Sequence, residues 1–101
     1  MILYNVTVKI EADAQEDWLQ WMKSTHIPDV MATGLFLGYR ICKVLGDDDV
    51  HGITYAIQYE CPDLAVFAQY QEMHAKRLQE EHQQRFLNRY VAFRTLLEVI
   101  D

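Results

Sequence analysis

The two ends of the chain constrain its fold most: MILYNVTVKI opens it, RYVAFRTLLEVI (Arg89–Ile100) closes it, and both alternate along their length. A period of two is the pattern of a strand with one buried and one open face. In the first segment Ile2, Tyr4, Val6, Val8 and Ile10 stand against Leu3, Asn5, Thr7 and Lys9. In the last, Val91, Phe93, Thr95, Leu97 and Val99 stand against Ala92, Arg94, Leu96 and Glu98, which reads as a core face opposed by a mixed face carrying Arg94. A sheet with one apolar and one mixed face needs a second surface over the latter, or a pocket.

Between these ends the periodicity changes. Asp13 followed by Glu16 matches a capping box, and Trp18, Trp21, Met22 and Thr25 recur at helical spacing, which predicts a helix over roughly 14–25 on the Ile2 face. HIPDVMATG (His26–Gly34) reads as a turn into a short helical piece, with Pro28 at a first helical position and Gly34 ending it. LFLGYRICKVL (Leu35–Leu45) and GITYAIQYE (Gly52–Glu60) are strand patterns, and the GDDDVH turn between them predicts an antiparallel hairpin. On the second of these, Ile53, Tyr55, Ile57 and Tyr59 oppose Thr54, Ala56, Gln58 and Glu60. A further helical stretch runs from Cys61–Pro62 to Phe86, long enough to require a bend near Met73–Lys76. The order β-α-β-β-α-β is that of a ferredoxin-like α+β sandwich, expected as a single domain over residues 1–101.

A formal net charge of -6 and a pI near 5.0 oppose binding to nucleic acid or to anionic membrane surfaces. No apolar run approaches the roughly 20 residues of a membrane span, and no secretion signal opens the chain, so a cytoplasmic location is expected. Cys42 and Cys61 lack metal-ligand spacing and read as free thiols. His74 and His82 lie two helical turns apart, too far for a two-histidine clamp. Phosphate loops, HExxH and GxSxG segments are missing, and neither a metal nor a cofactor is expected.

Two helices cover one face of a sheet, so a second copy of the chain is the expected cover for the other, giving a homodimer. A cavity between the paired sheets would gather Asn5, Thr7, Arg40, Gln58 and Arg94 around a small polar or anionic compound, because Arg is a fixed donor fork and the amides and hydroxyl orient the remaining atoms. The same residues could equally form a hydrated interface network. His26, held between the first helix and Pro28, is the candidate general acid or base, or simply closes the helix; Asp29 beside it could orient or charge the imidazole. Trp21 anchors the helix and could also border a planar ligand.

Together MILYNVTVKI, WLQWMKSTHIPDVMATG, ITYAIQYE and RFLNRYVAFRTLLEVI resemble a small family of uncharacterised bacterial proteins found notably among Bacteroidetes, over essentially the whole chain. That family resembles the dimeric α+β barrel superfamily, whose ferredoxin-like subunits pair through their sheets and whose members include cofactor-free monooxygenases, muconolactone isomerase-like enzymes and haem proteins. The resemblance implies a dimer and supplies no catalytic residues, although WMKSTHIP is similar to the Trp and His arrangement of several small barrel enzymes and so favours His26. Three readings follow: a dimer binding a small organic metabolite, a cofactor-free monooxygenase-like or isomerase-like enzyme using His26, and a purely structural or regulatory dimer. Haem is disfavoured, since no histidine has a recognisable axial-ligand setting.

Overall fold

The computed structural model describes residues 1–101. Four strands, β1 (Ile2–Ile10), β2 (Gly38–Lys43), β3 (Ile53–Cys61) and β4 (Tyr90–Glu98), form one antiparallel sheet in the order β2-β3-β1-β4. Two helical runs connect them and cover one face: α1 (Gln15–Trp21) with α2 (Ile27–Met31), and α3 (Leu64–Tyr70) with α4 (Lys76–Arg85). This is the ferredoxin-like α+β fold that the element order predicts.

Each helical run contains one wide π-helical turn, at Met22–His26 and at Gln71–Ala75. The spacing of buried residues shows why. Ala14, Trp18 and Met22 step by four, then Ile27 follows by five and Val30 by three. In the second run Phe67 and Tyr70 step by three, Ala75 follows by five, and Leu78 and His82 resume the ordinary spacing. An α-helix carrying a five-residue step would turn its stripe away from the sheet; the π turn absorbs the extra residue and keeps the stripe inward. The second π turn lies where the sequence predicts a bend. The first replaces the expected break at His26: backbone angles stay helical from α1 into α2, and the Ile27 N–H bonds the Met22 carbonyl. Pro28 supplies the reason, since its ring would crowd the carbonyl four residues back in a regular helix and the wider turn relieves that contact.

Asp13 does not cap the helix as the capping-box reading predicts. It joins Glu11 in pairing with Arg89, at 2.6 and 2.5 Å, tying the start of the first helical run to the start of β4. Asp63 is the working cap, accepting the Val66 N–H at 2.9 Å. In the β2–β3 loop Asp49 accepts the His51 and Gly52 N–H groups and pairs with Lys9 at 3.0 Å. Gly52 is required there, because a Cβ would stand 2.3 Å from the Ile10 carbonyl oxygen.

The register corrects one face assignment. Val6 lies opposite Arg94 and Thr7 opposite Phe93, so Tyr90, Ala92, Arg94 and Leu96 look toward the helices. Val91, Phe93, Thr95 and Leu97 share the open face with Leu3, Asn5 and Thr7, the reverse of the reading from alternation.

Candidate functional site

Two aromatic groups fill the space between sheet and helices. At one end Tyr4, Phe36, Tyr59, Phe67 and Tyr70 pack with ring centroids 4.8 to 6.2 Å apart. At the other, Trp18, Trp21, His26, His82, Phe86 and Tyr90 make a second group, in which His26 stacks on Trp21 at 5.0 Å and His82 meets Tyr90 edge-on at 4.4 Å. Between them, over Val6, the packing parts into a cleft that His26, Gln79, His82, Tyr90 and Arg94 line together with Tyr59 and Tyr70. Its free space, counted with the mouth open to solvent, is about 470 Å³, and the part that the centre of a water molecule can reach is about 30 Å³.

The sequence candidates therefore fall on two sides of the sheet. His26 and Arg94 line the cleft, and Trp21 stacks on His26 beside it. Asn5, Thr7, Arg40 and Gln58 lie on the open face: Arg40, Gln58 and Asn5 stand side by side on β2, β3 and β1, with Thr95 next on β4. Asn5 donates to the Thr7 hydroxyl at 3.0 Å, and Arg40 is 4.0 Å from Glu60. Arg94 does not join this row as expected, because the register turns it to the helix side.

His82 enters the site from α4 without being foreseen as part of it. Trp18, fully buried, donates its indole N–H to His82 Nε2 at 2.9 Å. A buried indole N–H needs an acceptor, and the neutral imidazole provides one only on an unprotonated nitrogen, so the ring proton of His82 sits on Nδ1. The Leu78, His82, Phe86 spacing does place this residue on the buried stripe of its helix. The Trp18 partnership across 64 residues had no local signal.

Burial sets the charge state. Desolvation lowers the pKa of both imidazoles to about 4; Asp29 opposes the shift at His26 and Arg94 adds to it, while His26 and Arg94 add to it at His82. The two rings stand 5.7 Å apart, and His26 Nδ1 is buried without a hydrogen-bond partner. Desolvation likewise raises the phenols of Tyr59 and Tyr70, which stay neutral. The ion pairs of the chain engage Lys9, Arg40, Lys43, Arg77, Arg85 and Arg89, and none engages Arg94. No third His, Cys, Asp or Glu joins the two imidazoles in a metal-binding group. The cleft thus offers neutral proton donors and acceptors beside one unpaired guanidinium.

Solved structures share this fold. A dimeric ferredoxin-like protein from an uncultured marine organism aligns with a TM-score of 0.72 at 13% identity, covering 100% of this chain and 96% of the other. An antibiotic biosynthesis monooxygenase aligns at 0.67 and 15%, covering 100% of both chains. A MhuD variant with two manganese protoporphyrin IX molecules bound per active site aligns at 0.71 and 13%, covering 100% and 96%. At these identities the likeness is one of fold alone. No functionally curated protein matches the sequence, and no helix is long and apolar enough to cross a membrane. One sequence family spans the chain from residue 1 to residue 100, and the protein belongs to it: DUF4286, a domain of unknown function.

Proposed function

We propose that the protein is a homodimer that binds a small organic metabolite, anionic or aromatic, in the cleft between the sheet and the His26 turn of each protomer. One observation carries the ligand site: in a chain of net charge -6, the only Lys, Arg, Asp or Glu lining the cleft is Arg94, which has no ion-pair partner. An unpaired guanidinium beside desolvated aromatic walls favours an anionic group attached to apolar atoms. The dimer is supported by the open face, where Val91, Phe93 and Leu97 are 69%, 63% and 41% exposed, and by the dimer named for one structure of the same fold. In that assembly Asn5, Thr7, Arg40 and Gln58 form the polar strip between the paired sheets. A bacterial source of the Bacteroidetes type, a cytoplasmic location and a single-domain organisation belong to the same proposal and rest on the sequence.

The cofactor-free monooxygenase-like or isomerase-like reading has its own support. His26 is neutral and able to take a proton, and Arg94 is placed to stabilise negative charge developing on a bound organic molecule.

The test combines solution mass by light scattering with a thermal-shift screen of organic acids and their neutral analogues, on the native chain and on His26→Ala. A dimeric mass with stabilisation that weakens in His26→Ala supports the proposal. A dimer that no compound stabilises favours the structural or regulatory reading, and a monomer overturns the assembly.

A further inference from the structure

The cleft carries more information than the presence of a cation. Its charge at neutral pH is a single positive one, since Arg94 is the only ionised lining residue and burial keeps both imidazoles neutral. A ligand of charge -1 balances it, whereas a phosphate dianion would bring a second negative charge with no second cation on the cleft to meet it. Two hydrogen-bond donors stand out among the polar residues on the cleft, which also include His26, Gln79, Tyr59, Tyr70 and Tyr90. With Nε2 of His82 occupied by the Trp18 indole, the N–H of its Nδ1 is the group left to donate, and Arg94 donates from β4 on the same cleft. A carboxylate has two acceptor oxygens in a compact planar group, one for each of these donors.

We infer that the cleft recognises organic monocarboxylates, the carboxylate held between the Arg94 guanidinium and the Nδ1–H of His82, with Trp18 as the positioning residue that fixes which nitrogen of His82 donates. The apolar part of the ligand lies against Tyr90 and Ala92. This rests on the reading of the cleft as a ligand site and adds the chemical class and the donor geometry.

The test uses benzoate, benzamide and phenyl phosphate at pH 7.5, titrated into the full chain labelled with nitrogen-15 on histidine. Benzoate and benzamide share a shape and differ in charge, and phenyl phosphate carries the second charge. Charge-assisted hydrogen bonds from Arg94 predict that benzoate binds about tenfold or more tightly than benzamide. Benzoate is also expected to bind more tightly than phenyl phosphate, and to shift the protonated Nδ1 of His82. Arg94→Gln removes the preference for benzoate over benzamide. Trp18→Phe releases the tautomer, seen as loss of the fixed Nδ1–H nitrogen signature, and weakens benzoate severalfold while Arg94 is intact.

Equal binding of benzoate and benzamide, a preference unchanged in Arg94→Gln, or tighter binding of phenyl phosphate overturns the monocarboxylate inference and leaves the cleft as a ligand site. Unchanged benzoate affinity in a folded Trp18→Phe variant overturns the assigned role of the Trp18–His82 pair. If none of the three compounds moves a histidine signal, the inference falls together with the ligand-site reading. Because Trp18 is fully buried, its variant is first checked for a native-like nitrogen–proton spectrum, and the Arg94→Gln arm decides the charge question independently.

Discussion

His26 and His82 are buried as neutral rings, and this has a consequence for stability that runs opposite to the usual histidine ion pair. Their folded pKa values, lowered to about 4, lie below the ordinary 6.5, so the unfolded chain binds more protons whenever the pH is between the two. The contribution to stability is complete above about pH 6.5. It falls as pH drops, by as much as about 1.4 kcal/mol per pH unit for each ring, and levels off near pH 4, where the folded rings protonate. Urea denaturation at pH 7.5 and pH 5.5, a window above the ordinary carboxylate range, is expected to show this loss, and His82→Gln to reduce it. A stability unchanged between those two pH values would contradict the burial of neutral imidazoles. At the same scale the sequence was legible for His26, whose place beside Trp21 and Pro28 follows from chain order. It was not legible for His82, whose role comes from an indole N–H on another helix that needed an acceptor.

The elements were readable where their periodicity was strong. Alternation along β1 and β3 identified strands and faces together, because one side of each is consistently more apolar. In β4 alternation identified the strand but not the face: Val91, Phe93 and Leu97 on one side and Ala92 and Leu96 on the other are both apolar, and only pairing with β1 decides that Arg94 looks toward the helices. The five-residue steps in the buried stripes, from Met22 to Ile27 and from Tyr70 to Ala75, are findings of the structure, and what they produce is a π turn rather than a break. Deleting the exposed Ser24 makes the step from Met22 to Ile27 an ordinary four and removes the wide turn while keeping the stripe inward. The deletion then places Pro28 in a regular helix, at a cost of about 3 kcal/mol. Guanidinium denaturation is expected to show that loss for the deletion alone, and its substantial recovery when Pro28→Ala is added. The double change also rotates His26 relative to Trp21, so its imidazole signals should lose the ring-current shift of the 5.0 Å stack although the fold is restored. Failure of Pro28→Ala to restore stability would mean that the wide turn is set by something other than the proline.

For the whole molecule, the question is what covers the open side of the sheet. The helices shield the Ile2 face, while Phe93 and Val91 on β4 remain 63% and 69% exposed beside the polar row of Arg40, Gln58 and Asn5. If two copies pair through this face, symmetry buries Phe93 twice, once from each copy. Burying a Phe side chain is worth about 1.5–3 kcal/mol, so placing an arginine there forfeits about 3–6 kcal/mol of association, a weakening of a hundredfold or more. The protomer itself should tolerate Phe93→Arg, because surface substitutions usually change folding stability by no more than about 0.5 kcal/mol. Light scattering across a concentration series is therefore expected to show a dimer for the native chain and a monomer for Phe93→Arg at the same concentrations, with the helical circular dichroism of the variant unchanged. The cleft lies on the other side of the sheet, over Val6, so Phe93→Arg is also expected to retain benzoate binding if each protomer holds a complete site. Loss of binding together with the dimer, in a variant whose helices are intact, would instead mean that pairing of the sheets holds β4, and with it Arg94, in the position the ligand requires.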